Sequence, residues 1–129
     1  MHWTIIIQSS PDTPQNPAFT ALRLAGGAVA DGEKVCLFLV EGALQLALRS
    51  PDIKGDEHFQ AQRDMLLEYI ELGMNVQACG MCLTRECKNE GDLLPGVAKG
   101  SMKTLVASIR NSERVLTFKQ KCRMRALVQ

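Results

Sequence analysis

The stretch that decides the fold is Lys34-Val35-Cys36-Leu37-Phe38-Leu39-Val40, in which six consecutive apolar side chains follow one lysine. A strand that is apolar at every position has no face for solvent, which is typical of parallel sheets covered on both sides. Segments with apolar residues at helical spacing lie before it, starting at Asn16-Pro17, and after it, over Phe59–Leu72. This strand–helix–strand order predicts an α/β fold with a mostly parallel sheet and helices on both faces.

The remaining segments extend the same alternation. A proline after Asn16 predicts a helix start, and Gly32 predicts its end. In the second long helix we expect Met65, Leu66, Tyr69 and Leu72 to form the buried stripe. We further expect a short helix over 42–48 and a longer one over 101–110. The other predicted strands cover residues 4–8, 74–79, a short segment at 97–98, and 114–118.

Length and charge limit the possible functions. The chain has 129 residues, which fits a single domain over residues 1–118 and a basic C-terminal tail over 119–129. Its net charge is only +1, so no overall field favours nucleic acid. No glycine-rich phosphate loop is present, which argues against a nucleotide enzyme, and we predict no cofactor.

The cysteines indicate the compartment. The N-terminal apolar run is too short to span a membrane and lacks the features of a signal peptide, so we expect a cytoplasmic protein. Its five cysteines, at positions 36, 79, 82, 87 and 122, should then be mostly reduced. Because their number is odd and three of them are clustered, they do not resemble a disulfide framework.

Chemistry is expected in the segment that begins at Cys79. This residue ends a predicted strand, and ligands of parallel sheets gather at the carboxyl ends of the strands. A helix that starts directly after it would stabilise an accessible, low-pKa thiolate. Gly80 would leave room for a second sulfur compound, and Arg85 and Lys88 would keep the sulfur anionic. Lys99 and Lys103 lie in the next loop and are expected to approach the same site.

Other interpretations of the cluster stay open. The spacing Cys79-x-x-Cys82 also fits a dithiol redox pair. Metal or iron–sulfur binding by Cys79, Cys82 and Cys87 lacks an obvious fourth ligand, so we predict no metal. Free cysteines are also often ordinary buried residues, which is the interpretation we favour for Cys36.

Three polar residues at the same edge are weaker candidates. Ser9 and Ser10 follow the first strand and are predicted to bind an anionic sulfur ligand, although such residues are also common turn formers. Glu41 ends the second strand, where its carboxylate is expected either to influence the local charge or to be an ordinary solvated loop acid. The sequence alone leaves the turn interpretation favoured for both serines.

Several segments together carry a family resemblance. They are Ile5-Ile6-Ile7-Gln8 with its Ser/Pro loop, Asn16-Pro17-Ala18-Phe19 with Ala21-Leu22-Arg23-Leu24-Ala25, Val35-Cys36-Leu37-Phe38-Leu39, Leu72-Gly73-Met74-Asn75-Val76-Gln77-Ala78-Cys79-Gly80-Met81-Cys82, and Gly96-Val97-Ala98-Lys99-Gly100-Ser101-Met102-Lys103. With them the chain resembles the DsrE/TusD-like (DsrE/DsrF/DsrH-like) sulfur-relay proteins over nearly all of residues 1–118.

The resemblance implies a three-layer α/β/α domain with five strands that assembles into trimers or hexamers. It also implies that Cys79 carries sulfane sulfur as a persulfide or thiosulfonate between sulfur-donor and sulfur-acceptor proteins. The additional thiols of Cys82 and Cys87 depart from the simplest relay pattern and leave room for disulfide chemistry or a second sulfur position. A non-catalytic oligomeric interaction module of the same fold is the alternative.

Overall fold

The structure is a computed structural model that describes residues 1–12, 16–52 and 57–119. The strands are β1 (His2–Ile7), β2 (Lys34–Leu39), β3 (Asn75–Cys79), β4 (Val97–Gly100) and β5 (Arg114–Phe118). The α-helices are α1 (Pro17–Ala30), α2 (Glu57–Glu71), α3 (Gly80–Arg85) and α4 (Met102–Arg110), and 3₁₀ turns cover Glu41–Ala47 and Glu90–Asp92. Most of the basic tail, including Cys122, lies outside the described residues.

All five strands form one parallel sheet in the order β4-β3-β2-β1-β5. This confirms the predicted α/β class, and the sheet is fully parallel rather than mostly so. Parallel strands all point the same way, so the loops after β2, β3 and β4 open at one edge. The sheet therefore brings the ends of these three strands together.

The helices cover the two faces differently. On one face, α1 packs against β1 and β2 and buries mainly alanines and Leu22. On the other face, α4 crosses the sheet between β4 and β5, and Ser108 Oγ lies 2.7 Å from Thr4 Oγ1. The first face is continuous apolar core, whereas the second contains hydroxyl and amide groups. The three-layer arrangement expected from the resemblance is thus present.

The start of α1 follows the prediction. Asn16 is extended and its side-chain oxygen accepts the Ala18 N–H at 2.9 Å, while Pro17 occupies the first helical position. The Asn16 amide also donates to the fully buried Gln62 at 2.8 Å. Gln62 in turn donates to the Pro11 carbonyl at 3.1 Å, so α2 holds the loop that precedes α1.

The buried stripe of α2 differs from the prediction. Its buried residues are Phe59, Gln62, Leu66 and Tyr69, whereas Leu72 is 65% exposed and Met65 only partly buried. The helix ends at Glu71, and Gly73 turns the chain with a φ of 92°. Because Leu72 lies in that turn, helical spacing no longer determines which way its side chain points.

None of the helices among the described residues has the length and apolar character needed to cross a membrane.

Candidate functional site

A cavity of about 1050 Å³ opens at the carboxyl ends of β2, β3 and β4. Cys79 and Cys82 line it, so the predicted edge of the sheet does contain a pocket with thiols. Its other lining residues come from the ends of four strands and from α3 and α4; they are Gln8, Val40, Glu41, Gly80, Met81, Thr84, Arg85, Lys99, Gly100, Ser101, Met102 and Lys103.

The two thiols occupy the start of α3. Cys79 is the residue before the first helical position, and Cys82 lies within the first turn. Their side chains interact with each other. Both residues are almost completely buried, with exposed fractions of 3% and 5%. The pair therefore forms the inner wall of the cavity rather than an exposed tip.

The expectation of an accessible, low-pKa thiolate at Cys79 is wrong for this structure. Burial raises the pKa of the Cys79 thiol above its ordinary value, and the neighbouring N–H groups of Cys82 and Met81 offset this only in part. The Cys82 side chain acts in the same direction as burial. A helix of six residues has few aligned peptide dipoles, so desolvation outweighs its effect. At neutral pH the resting Cys79 is a neutral thiol.

Hydrogen-bond donors converge on Cys82 instead. The backbone N–H of Glu41 lies 3.3 Å from the Cys82 sulfur, and a guanidinium nitrogen of Arg85 lies 3.4 Å from it. Both distances are within the range of hydrogen bonds to sulfur, which is a larger acceptor than oxygen. Donors of this kind, one of them charged, stabilise negative charge on the sulfur atom.

The donor at Glu41 depends on an unusual backbone conformation. Glu41 has a φ of 52°, in the left-handed region that residues other than glycine rarely adopt. It follows β2 directly and begins the 3₁₀ turn Glu41–Ala47. Strained residues of this kind cost of order 1–3 kcal/mol and are concentrated at functional sites. At this position the strained residue directs its N–H at the Cys82 sulfur.

The cavity carries an excess of positive charge. Arg85, Lys99 and Lys103 line it together with one carboxylate, that of Glu41. Within the described residues none of these three cations forms an ion pair. Unneutralised cations around a pocket attract anions and raise their local concentration. The cavity is therefore suited to an anionic ligand.

Gly80 has a different role from the predicted one. A Cβ atom at this position would lie 2.8 Å from Lys99 Cε and 3.0 Å from the Gly100 carbonyl oxygen. The absence of a side chain thus lets β4 and the Lys99 stem pack directly against the start of α3. The space that was expected to admit a sulfur compound is occupied by Lys99.

Arg85 and Lys88, the two cations predicted to lie beside the thiols, occupy different places in the structure. Arg85 lines the cavity and contacts Cys82 rather than Cys79. Lys88 does not line it, and its ammonium group is 3.4 Å from the Asp52 carboxylate in an ion pair. The structure therefore gives Arg85, and not Lys88, a place beside the thiols.

Neither predicted serine lines the cavity. Ser9 is buried, and its hydroxyl has no hydrogen-bond partner among the described residues. Ser10 hydrogen bonds the Asp12 carboxylate and packs against Gly42, where a Cβ would lie 2.9 Å from the Ser10 nitrogen. Both serines belong to the turn after β1, and Gln8 is the residue of that region which lines the cavity.

The other described cysteines lie outside the cavity. Cys87 is exposed just after α3, and Cys36 is buried within β2. In the parts of the chain that the structure describes, no three cysteine, histidine or acidic side chains come close enough to hold a metal ion.

Sequence reasoning missed the environment of Cys82. The sequence points only to the carboxylate of Glu41, yet it is the backbone N–H of Glu41 that contacts the Cys82 sulfur. The following Gly42 is the one local signal of a sharp turn at the end of β2. Nothing in the sequence pairs that turn with a cysteine 41 residues later in the chain.

Comparison with known proteins identifies the family. The DsrE/DsrF-like family model matches residues 1–118, almost all of the described chain. The chain belongs to the DsrE/DsrF-like family. This confirms the resemblance inferred from the sequence segments, and the matched range coincides with the domain predicted from them.

Two archaeal relatives share about a third of their residues with this family member. An uncharacterised protein of Methanopyrus kandleri is 32% identical over 115 residues, which is 89% of this chain and 92% of the relative. An uncharacterised protein of Methanocaldococcus jannaschii is 31% identical over 118 residues, covering 92% of this chain and all (100%) of the relative.

Solved structures show the same fold. The YchN protein of E. coli superposes with a TM-score of 0.73 at 23% identity, covering 92% of this chain and 100% of YchN. A protein of unknown function from Methanobacterium thermoautotrophicum gives a TM-score of 0.67 at 13% identity over 89% of this chain and 97% of its own. At these identities the comparison concerns the fold alone.

Proposed function

We propose that this DsrE/DsrF-like protein is a sulfur carrier that holds sulfane sulfur on Cys79 as a persulfide. The observation that carries the proposal is the pair of buried thiols, Cys79 and Cys82, on the wall of a cavity lined by three cations that form no ion pair within the described residues. Family membership supports a role in sulfur relay. Sulfur-donor and sulfur-acceptor proteins of the cytoplasm, where thiols stay reduced, are the partners in this proposal.

The loading step conserves atoms and charge. A donor persulfide anion, R–S–S⁻, presents its outer sulfur to Cys79. The sulfur–sulfur bond of the donor breaks, a new one forms on Cys79, and the proton of the neutral Cys79 thiol passes to the departing R–S⁻. The products are the Cys79 persulfide anion and R–SH. Unloading is the same exchange, with an acceptor thiolate attacking the outer sulfur.

The surroundings of the pair suit this intermediate. Arg85, Lys99 and Lys103 would stabilise a persulfide anion by direct charge attraction. Burial limits the access of water and of unrelated thiols to the stored sulfur. A persulfide is consumed by any thiol that reaches it, so a sheltered position favours delivery to a chosen partner.

The experiment is mass spectrometry of the reduced protein after incubation with polysulfide or glutathione persulfide and trapping with an alkylating reagent. We expect one additional sulfur atom on the peptide that contains Cys79, and release of that sulfur on addition of a thiol acceptor. Cys87→Ser is the matched control, because it removes an exposed thiol of the same segment outside the cavity.

Two results would count against the carrier. If Cys79 gains no sulfur while Cys87 or Cys36 does, the cavity is not a sulfur site. If the only product is a Cys79–Cys82 disulfide with free sulfide, the pair acts as a dithiol redox couple. The side-chain interaction between Cys79 and Cys82 favours that couple as the second candidate function.

We further propose that the protein acts as a homo-oligomer. Met102, Val106 and Ile109 form one exposed stripe on α4, with exposed fractions of 54%, 51% and 38%. Exposed apolar stripes are typical of protein interfaces. Analytical ultracentrifugation of the wild type and of Val106→Glu tests this: we expect a trimer or hexamer that dissociates in the variant. A wild-type monomer would contradict it.

A further inference from the structure

The two thiols of the cavity differ in what faces their sulfur atoms. Cys82 receives the Glu41 N–H and the Arg85 guanidinium, at 3.3 Å and 3.4 Å. Cys79 is contacted by the backbone N–H groups of Cys82 and Met81 and by the Cys82 side chain, but by no charged donor among the described residues. Burial raises the pKa of Cys79 and keeps it protonated. The pair is therefore built with one sulfur suited to negative charge and one suited to the neutral form.

We infer that Cys82 is the first acceptor of the donor's sulfur and that it hands this sulfur on to Cys79 within the same chain. This inference rests on the proposed carrier function and replaces the direct loading of Cys79 by the donor with two successive steps. The Glu41 N–H and Arg85 are positioning groups in this scheme, since they act through the Cys82 sulfur.

Both steps balance. In the first, the Cys82 sulfur attacks the outer sulfur of a donor persulfide R–S–S⁻, the donor's sulfur–sulfur bond breaks, and the proton of the Cys82 thiol passes to the departing R–S⁻. The products are R–SH and the Cys82 persulfide anion. In the second, the Cys79 thiol attacks the outer sulfur of that persulfide. The bond between that sulfur and Cys82 breaks, and the proton of Cys79 passes to the departing Cys82 sulfur. The products are the Cys79 persulfide anion and the Cys82 thiol.

The direction follows from the rules of thiol exchange. A thiol that is available as thiolate reacts first, and a thiolate that is well stabilised leaves faster. The donors on Cys82 serve both requirements, because they stabilise its sulfur before the attack and again when it departs. Cys79 receives only the uncharged backbone N–H groups of Cys82 and Met81 and no charged donor among the described residues, so a sulfur bonded to it is expelled less readily. Sulfur therefore accumulates on Cys79, the carrier position.

The strain at Glu41 gives independent support. Its left-handed backbone costs free energy, and a glycine at this position would carry no such cost. The conformation directs the Glu41 N–H at the Cys82 sulfur across the cavity wall. A simple structural role for Cys82 requires no donor there, whereas a sulfur that gains and loses negative charge does.

The test is a rapid-quench time course with one equivalent of glutathione persulfide, with alkylation and peptide mass spectrometry at each time point. In Cys79→Ser we expect the added sulfur to remain on Cys82. In Cys82→Ser we expect Cys79 to load at least about tenfold more slowly, which corresponds to losing about 1.4 kcal/mol of barrier lowering. Circular dichroism of each variant checks that the fold is retained.

Arg85→Gln and Lys88→Gln provide a matched pair that leaves both thiols in place. Each removes one positive charge from the same segment, but only Arg85 contacts Cys82. We expect Arg85→Gln to slow loading about three- to tenfold, the size expected for the loss of one ordinary hydrogen bond. Lys88→Gln should load at the wild-type rate.

The outcomes separate this inference from the carrier function. If Cys82→Ser loads Cys79 at the wild-type rate, or if Cys79→Ser never shows sulfur on Cys82, the internal transfer is overturned while Cys79 remains a carrier. If wild-type Cys79 never gains sulfur at all, the carrier function fails and the transfer fails with it. Equal slowing in Arg85→Gln and Lys88→Gln would overturn the role of Arg85.

Discussion

Cys79 and Cys36 are two buried thiols of one sheet, and they are alike in all but their neighbours. Both are buried, and burial raises the pKa of each. Strand periodicity and the pairing of Cys36 with Asn75 place them on the same face of the sheet. Cys36, however, lies under α4 in a second cavity of about 630 Å³ lined largely by hydroxyl, amide and apolar groups.

The difference lies in charge and in the second thiol. Cys36 is contacted by the Gln77 amide at 3.9 Å and by Ser108, while its cavity offers no second cysteine among the described residues. Cys79 has the Cys82 thiol beside it and three cations around the same cavity. Burial is therefore common to both thiols, and the neighbouring charges and the second thiol are what set Cys79 apart from Cys36.

The largest expected effect separates the two thiols directly. Cys79→Ala should abolish the delivery of sulfur to an acceptor, because sulfur taken up by Cys82 then has no carrier position to move to. Cys36→Ala should retain delivery, since its cavity has no second thiol among the described residues and its one lysine, Lys34, lies in it together with the Glu33 carboxylate. Single-turnover transfer from polysulfide to a small thiol acceptor measures the two variants side by side. Loss of transfer in Cys36→Ala would break the comparison.

A glycine pair tests the packing at the start of α3. In Gly80→Ala the new methyl group would contact Lys99 Cε at 2.8 Å and the Gly100 carbonyl at 3.0 Å. We expect slower loading of Cys79 and a loss of about 1–3 kcal/mol in the free energy of unfolding, the typical cost of overpacking. Urea unfolding gives the second value.

Gly27→Ala is the control for that variant. A Cβ at Gly27 meets nothing within 4 Å, and the residue lies inside α1. This substitution should stabilise the protein by about 0.5–1 kcal/mol and leave loading unchanged. Equal effects of the two substitutions would contradict the contact between α3 and Lys99.

The pH dependence should be shared by both buried thiols. Since their pKa values are raised, Cys79 and Cys36 stay protonated at pH values where an ordinary thiol has begun to ionise. Their rates of alkylation should therefore keep rising as the pH passes above the ordinary thiol pKa. The free energy of unfolding should fall over the same interval, because the unfolded thiols lose their protons first.

Peptide mass spectrometry of alkylation over a pH series measures both rates. At pH values where Cys79 and Cys36 are alkylated at the same rate, the sulfur-transfer activities of Cys79→Ala and Cys36→Ala should still differ. An alkylation rate of Cys79 that levels off near neutral pH would show that burial does not dominate its ionisation.

The smallest expected effect concerns the polar face near Cys36. Ser108→Ala removes the contact between Ser108 Oγ and Thr4 Oγ1 at 2.7 Å, while Ser112 Oγ still lies 2.6 Å from Thr4. With one partner retained, the loss in unfolding free energy should be about 1 kcal/mol. Thermal unfolding measures it, and loading of Cys79 should not change. A change in loading would mean that the two regions are coupled.

The sequence by itself determined the local structure and the location of the site. Apolar runs and helical spacing predicted the alternating elements, Asn16-Pro17 predicted the start of α1, and the strand end at Cys79 predicted the edge where the cavity lies. These features depend on neighbours within a few residues. Periodicity and capping encode such short-range preferences directly.

Only the tertiary structure decided how the thiols are surrounded. Packing buries Cys79 and brings the Glu41 N–H within hydrogen-bond distance of the Cys82 sulfur. It also packs the Lys99 side chain against Gly80 and forms the ion pair between Lys88 and Asp52. Desolvation and hydrogen bonding depend on which distant segments meet, and no local pattern specifies that. The sequence located the edge of the sheet where the two thiols lie, and the packing of the chain decided which of their sulfur atoms faces a charged hydrogen-bond donor.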